Sequence, residues 1–152
     1  MLFEKKIYKK DQLFVSGEGN PEMILFLIEE KDILYIPEYS KEYSFPKDTE
    51  VYEIILSQSE ENISKPENMA SPFILTGDAC FYNFMARKIK VSGEQELFNK
   101  KGKDLIWLTS GDLSLESSGE EKKKLTDSPV VIKEEGIVYK LTGQGEVFLL
   151  KI

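Results

Sequence analysis

Apolar residues along this chain fall into short runs that are typical of β-strands rather than of amphipathic helices. The run Met23–Ile28 is continuously apolar, which predicts a strand buried on both faces. A polar turn at Glu29–Asp32 and a second apolar run at Ile33–Ile36 complete a predicted hairpin. β-Branched and aromatic residues at Val51–Leu56 predict a further strand.

The second half of the chain repeats this pattern, with polar or glycine-containing turns between apolar runs. The connection Thr109–Gly111 ends in glycine and predicts a hairpin between the strands on either side. The segment Ala79–Lys88 fits either a strand or one or two helical turns. The predicted strands are Phe73–Leu75, Ile89–Val91, Asp104–Leu108, Asp112–Glu116, Val130–Ile132, Ile137–Leu141 and Glu146–Ile152. Such spacing predicts an all-β antiparallel sandwich or barrel with little helix.

The length of 152 residues fits one compact domain over 1–152, or two β-rich halves at 1–70 and 71–152. The polar segment Ser57–Ser71 is the predicted connection between such halves. A chain of this size buries about 68–70% of its unfolded surface, so it needs neither metal nor disulfides to fold.

Charge and cysteine content narrow the partners and the compartment. Residues 1–76 hold 8 basic and 15 acidic side chains, whereas residues 77–152 hold 12 of each, so nucleic-acid binding is not expected. The longest apolar run, Met23–Ile28, is too short to cross a bilayer, so no membrane association is expected. The single thiol, Cys80, lies between apolar neighbours and is predicted to be buried and inert, which suits a reducing cytoplasm.

The chain contains no histidine, which removes the usual general base and the commonest metal ligand. No Ser-His-Asp or Cys-His arrangement is available, and no nucleophile elbow occurs. We therefore expect no enzyme activity, no cofactor and no metal. An enzyme that uses carboxylates or a bound divalent ion stays as a third alternative, because the chain has 27 acidic residues.

Two segments of the second half carry a family resemblance. Leu141–Gly145 reads Leu-x-Gly-x-Gly before an apolar strand, and Phe81–Lys88 reads Phe-Tyr-Asn-Phe-Met-Ala-Arg-Lys. With these segments, residues 73–152 resemble the HutD/Ves family of bicupins, whose Phe-Asn-x-Met-x-Arg segment is similar to Phe81–Lys88 without the inserted tyrosine. It implies a cupin-like β-roll or bicupin-like sandwich with a small-molecule-binding or regulatory role.

The chain departs from that family at its N-terminal half. Phe14–Asn20 stands where the family has a segment rich in tryptophan and glycine, which implies a reduced first cupin half. Metal-binding cupins use histidines with a glutamate, so the resemblance implies a metal-free cavity here.

Arg87 is the only arginine, and its planar fork matches a carboxylate better than lysine does. We predict that Arg87 binds a small organic acid or amino-acid derivative, with Tyr82 and Asn83 orienting it and Trp107 lining the pocket. The alternatives are a surface ion pair for Arg87 and core packing for Trp107.

The sequence therefore predicts a non-enzymatic cytoplasmic binding or regulatory protein with a small carboxylate ligand. The alternative is a structural protein with no small ligand, in which strands such as Glu146–Ile152 or Met23–Ile28 pair across a homodimer.

Overall fold

The computed structural model describes residues 3–13, 21–57, 70–81 and 83–152, and within them it contains strands and turns but no helix. The chain forms two compact units, Met1–Thr76 and Gly77–Ile152, each built on one antiparallel sheet. The all-β fold class predicted from the sequence is confirmed. The predicted connection at Ser57–Ser71 lies mostly outside the described residues, as does Phe14–Asn20.

The first unit is a five-stranded antiparallel sheet. Its strands are β1 (Phe3–Tyr8), β2 (Glu22–Leu27), β3 (Asp32–Ile36), β4 (Thr49–Ser57) and β5 (Phe73–Ile74). They lie in the order β1-β4-β2-β3-β5, so β2 is central. The predicted hairpin is confirmed, because β2 pairs with β3 with Leu25 opposite Leu34. Both Ile24 and Leu25 are fully buried, so β2 is covered on both faces as its apolar run predicts.

A buried carboxylate lies among the apolar residues of the first unit. Glu53 on β4 is 5% exposed and accepts a hydrogen bond from Lys6 Nζ at 2.8 Å. The Tyr8 hydroxyl donates a second hydrogen bond to the same carboxylate. Both donors lie on β1, so these bonds tie the edge strand to its neighbour and satisfy a charge that is costly to bury alone.

The second unit is a six-stranded sheet. Its strands are β6 (Ala79–Cys80), β7 (Met85–Asn99), β8 (Asp104–Ser117), β9 (Lys123–Lys124), β10 (Val130–Ile132) and β11 (Ile137–Lys151). The order is β10-β8-β11-β7-β6, and β9 pairs with β8 beside that path. Ala79–Lys88 contains β6 and the start of β7, so of the two structures that its sequence allows, the described residues adopt strands.

The predicted hairpin at Thr109–Gly111 is wrong. Those residues lie inside β8, which continues from Asp104 to Ser117. The segments predicted as separate strands on either side of Gly143 are likewise one strand, β11. Glycine in these positions does not end a strand. It allows a long strand to change direction while its ladder of hydrogen bonds continues.

Gly143 and Gly111 are required where they stand. Gly143 has φ +127°, and a Cβ there would lie 2.3 Å from the carbonyl oxygen of Asp112. Gly111 has φ +82°, and its Cβ would lie 2.3 Å from the carbonyl oxygen of Gln144. Gly143 also pairs with Gly93 of β7, which has φ +96°. A row of glycines therefore crosses the three long strands of this sheet.

These long strands curl so that their two ends meet. Along the ladder between β8 and β11, Asp104 pairs with Lys151 and Ser117 pairs with Tyr139. Straight strands would hold those two pairs on the order of 40 Å apart, at about 3.3 Å per residue. Instead, the Tyr139 hydroxyl donates to Asp104 Oδ2 at 2.6 Å, and Lys151 Nζ donates to the same oxygen at 2.9 Å. The sheet therefore folds over, with one face turned inward.

The inward face carries the core of this unit. Its residues come from both halves of the curled strands and are at most 9% exposed. They are Ile89, Val91, Leu97, Ile106, Leu113, Leu115, Leu125, Ile132, Tyr139, Leu141, Val147 and Leu149. Burial of such aliphatic side chains contributes about 1.5–3 kcal/mol each, which is the main force holding the curl closed.

We predict that Gly143→Ala lowers the free energy of unfolding. Backbone strain at positive φ costs about 1–3 kcal/mol, and the contact with the Asp112 carbonyl adds to it. The matched control is Gly77→Ala, where a Cβ meets no atom within 4 Å, so its effect should stay within about 0.5 kcal/mol. Urea denaturation measures both values. Equal unfolding midpoints for the two variants would contradict the role assigned to Gly143.

We also predict a loss of stability in alkali that depends on Tyr139. Burial raises the pKa of Tyr139 above its ordinary value of 10.0, and the hydrogen bond to Asp104 raises it further. Above pH 10 the unfolded chain loses this phenolic proton while the folded chain keeps it, so stability falls by about 1.4 kcal/mol per pH unit for this group.

The Tyr139→Phe variant tests this dependence. At neutral pH it should be less stable by about 1–3 kcal/mol, because a buried carboxylate loses a donor. Above pH 10 its free energy of unfolding should fall less steeply with pH than that of the wild type. The difference in slope should be about 1.4 kcal/mol per pH unit, which corresponds to one proton. Urea denaturation as a function of pH measures the slope, and identical slopes would show that Tyr139 is not responsible.

Candidate functional site

A cleft of about 450 Å³ lies in the second unit, at the corner between β6 and β7. The turn between β7 and β8 forms another wall, and the end of β11 completes it. Its volume lies within the range of about 300–1,000 Å³ that is usual for small-molecule sites. All of its lining residues belong to Gly77–Ile152.

Aromatic side chains form the wall at the corner between β6 and β7. Phe81 and Phe84 stack with their ring centroids 4.6 Å apart and their planes at 20°. A hydrogen bond from the Phe81 amide to the Phe84 carbonyl oxygen, at 2.8 Å, closes the turn between them. Phe84 is 4% exposed, whereas the neighbouring Met85 is 39% exposed. This wall is therefore apolar, and the turn holds it in place.

Two lysines make another part of the same cleft basic. Lys151 Nζ donates to Asp104 at 2.9 and 3.1 Å and to the Phe98 carbonyl oxygen at 3.1 Å, so its position is set by a buried carboxylate. Lys101 lies exposed on the turn between β7 and β8. Within the described part of the chain, Lys101 forms no ion pair.

The turn that carries Lys101 is held against the end of β11. Lys103 and Ile152 exchange two backbone hydrogen bonds, at 2.8 and 3.0 Å. Gly102, with φ +74°, allows this approach, because a Cβ there would lie 2.3 Å from the Ile152 carbonyl oxygen. The cleft thus combines an apolar aromatic wall with Lys101 on a fixed turn and Lys151 at the end of β11, an arrangement that can bind an apolar molecule with an anionic group.

The predicted site residues lie in different surroundings. Asn83 is exposed and lines the cleft. Arg87 is exposed on β7, two residues beyond Met85 on the same face of the strand, and is not part of the lining. Burial and the hydrogen bond to Asp104 raise the pKa of Tyr139, and the positive charge of Arg87 lowers it by a smaller amount. Tyr139 shares Asp104 with Lys151, which lines the cleft.

Trp107 lies away from the cleft. Its side chain is fully buried, and its Nε1 donates to the Asp127 carbonyl oxygen at 2.8 Å. Tyr82 lies outside the described residues. The ligand-binding roles of these residues stay predictions.

The predicted burial of Cys80 is wrong, because this residue is exposed and lines the cleft. Its apolar neighbours in sequence indicated burial, but the strand that carries it pairs on one side only, with β7. Sequence reasoning also missed Lys101 and Lys151. The Lys100–Gly102 turn signal marks the first of these, whereas nothing local distinguishes the second from other lysines on strands.

Among the described residues, no group of three or more Cys, Asp or Glu side chains is arranged to hold a metal ion. The same residues include no helix with the length and hydropathy needed to span a bilayer.

No protein-family model and no curated protein matches this sequence. Among solved structures, protein YhaK from Escherichia coli is similar, at 9% identity and a TM-score of 0.52 over 99% of this chain and 83% of that chain. The conserved protein of unknown function PA5104 from Pseudomonas aeruginosa PAO1 matches at 13% identity and a TM-score of 0.42, over 98% of this chain and 80% of that chain. Protein NMB1881 from Neisseria meningitidis matches at 9% identity and a TM-score of 0.44, over 49% of this chain and 80% of that chain. The likeness to YhaK supports the all-β fold, and at this identity it carries no information about function.

Proposed function

We propose that this protein is a non-enzymatic, cytoplasmic binding or regulatory protein of the cupin type, related to the HutD/Ves bicupins. Its ligand is a small organic acid or amino-acid derivative with an apolar or aromatic body. The observation that carries the proposal is the cleft in which Phe81 and Phe84 lie together with Lys101 and Lys151.

Each part of such a ligand has a counterpart in the cleft. An aromatic ring gains about 0.5–1.5 kcal/mol from edge or offset contacts with other rings, beyond the burial of its area. A carboxylate on the ligand can pair with the Lys101 ammonium, which forms no ion pair with an acidic side chain of the described residues. Asn83 supplies an amide that can donate to the carboxylate or accept from a neighbouring group on the ligand.

Arg87 extends the positive charge along β7. It lies about 6–7 Å along the strand from Met85, on the face that Met85 shares. A guanidinium group at that distance adds to the positive field of the lysines. In this proposal Arg87 attracts and orients the carboxylate, and it does so from beside the cleft rather than from its wall.

We predict that benzoate and phenylacetate raise the melting temperature and that the neutral analogue benzamide does not. A ligand that binds only the folded state adds about 2.7 kcal/mol at a hundredfold excess over its dissociation constant. Lys101→Ala should weaken benzoate binding about tenfold or more, since a charge-assisted hydrogen bond contributes about 1.5–3 kcal/mol. Arg87→Lys should weaken it too while leaving the melting temperature of the free protein nearly unchanged.

Lys100→Ala is the matched control, because Lys100 neighbours Lys101 but does not line the cleft. It should bind benzoate as the wild type does. The single thiol, Cys80, shows independently whether a ligand binds in the cleft. A ligand there should slow the reaction of Cys80 with a disulfide reagent such as DTNB. A flat thermal-shift response, or binding that leaves Cys80 equally reactive, would overturn the assignment of the cleft.

The alternative function is a homodimer formed through sheet edges. The strands expected to pair in it are not edges, because β11 lies between β8 and β7, and β2 lies between β4 and β3. Both of them already pair on two sides. The edge strand β5 favours a different contact, since Phe73 is 44% and Ile74 38% exposed there.

If β5 mediates a dimer, light scattering after size exclusion should give twice the mass of one chain. Ile74→Lys places a charge on this edge and should return the protein to a monomer. The control is Val138→Lys, at an exposed apolar residue of β11, which should leave the mass unchanged. A wild-type monomer at micromolar concentration would contradict this alternative.

A further inference from the structure

A second cavity of about 450 Å³ lies in the same unit, between the end of β8, β10 and the start of β11. Its apolar surface is part of the core of the curled sheet. Leu115 and Ile132 belong to the buried core cluster, and Val130 and Ile137 pack against that cluster. Buried core side chains therefore form the apolar base of the cavity, and the rest of its lining is mainly polar.

The mouth of this cavity carries both signs of charge. Lys123 and Lys133 are the cations of its lining, and Glu120 and Glu134 are the anions. All four are exposed, and no ion pair joins any of them in the described part of the chain. Glu120 accepts one hydrogen bond, from the Ser117 hydroxyl at 3.1 Å. The charges thus remain available to a molecule at the mouth.

One wall of the cavity is fixed from behind by Asn99. This fully buried side chain donates from Nδ2 to the Glu134 carbonyl oxygen at 2.8 Å and to the Gly102 carbonyl oxygen at 3.0 Å. Glu135 accepts from the Gly102 amide at 2.8 Å and ties the same two turns together. A wall held in this way does not have to be ordered when a ligand binds, which lowers the cost of binding.

We propose that this cavity is a second binding site, for a zwitterionic small molecule with an apolar side chain, such as a free aliphatic or aromatic amino acid. The apolar side chain contacts Val130, Ile132 and Ile137. The carboxylate lies near the lysines of the mouth and the ammonium near the glutamates. The two sites differ in charge, because the lining side chains of the cleft are basic or uncharged and favour a simple anion. This inference does not depend on the proposed function of the cleft.

The experiment compares L-leucine with two analogues by isothermal titration calorimetry on the wild-type protein. N-acetyl-leucine lacks the ammonium group, and isopentylamine lacks the carboxylate. We expect L-leucine to bind at least roughly tenfold more tightly than either analogue, equivalent to about 1.4 kcal/mol. Equal affinity for L-leucine and either analogue, or no heat with L-leucine at millimolar concentration, would overturn the proposal.

Paired variants locate the site. The double variant Lys123→Ala with Lys133→Ala should weaken L-leucine binding about tenfold, whereas Lys100→Ala with Lys101→Ala, on the turn outside this cavity, should not. All four lysines are exposed, so folding should be retained. Unchanged binding in the first double variant would overturn the proposal.

Cys80 separates this result from the behaviour of the cleft. L-leucine in the second cavity should leave the rate of Cys80 modification by DTNB unchanged, because Cys80 lines the cleft and not this cavity. Slower modification of Cys80 with L-leucine would place the amino acid in the cleft and overturn the second site. Failure of benzoate to bind has no bearing on it.

Discussion

The carboxylate of Asp104 is the group on which the second unit depends. It is fully buried, and it accepts hydrogen bonds from Tyr139 near the start of β11 and from Lys151 at the end of the same strand. A buried charge is tolerated only when its partners are in place, so one anion requires the two ends of a 15-residue strand to meet. The core inside the curl forms under the same constraint, because it takes residues from both halves of the strands.

Curling a sheet of long strands needs positions where the backbone can depart from the extended form without losing its ladder. Gly93, Gly111 and Gly143 supply them on three adjacent strands, each with positive φ. The ends of those strands then lie close together, and the turns beside them line both the cleft and the second cavity. The cleft uses Lys151 and the second cavity uses Ile137, the last and first residues of β11. Asn99 donates hydrogen bonds to a turn beside the cleft and to a turn beside the second cavity, and so links the two.

The cleft and the second cavity differ in the charge of their lining side chains, and for this reason they are proposed to bind different ligands. In the cleft, Asp104 lies behind Lys151 and fixes it, so the lysines act from one side against an apolar wall. At the second cavity both signs are present on exposed side chains above an apolar base. Binding is the role proposed for both, because each combines apolar side chains with charged ones.

The sequence by itself determined the all-β class, the hairpin of β2 and β3, and the burial of β2, because these follow from short apolar runs and turn residues. Asn83, which the sequence analysis assigned to ligand binding, lines the cleft, and that role stays a prediction. The continuity of β8 and β11 was decided by tertiary structure, since a glycine reads the same at a turn and in the middle of a bent strand. The exposure of Cys80 depended on β6 being an edge strand. Lys151 and Asp104, 47 residues apart, became partners only through strand register and curl, which no local pattern encodes.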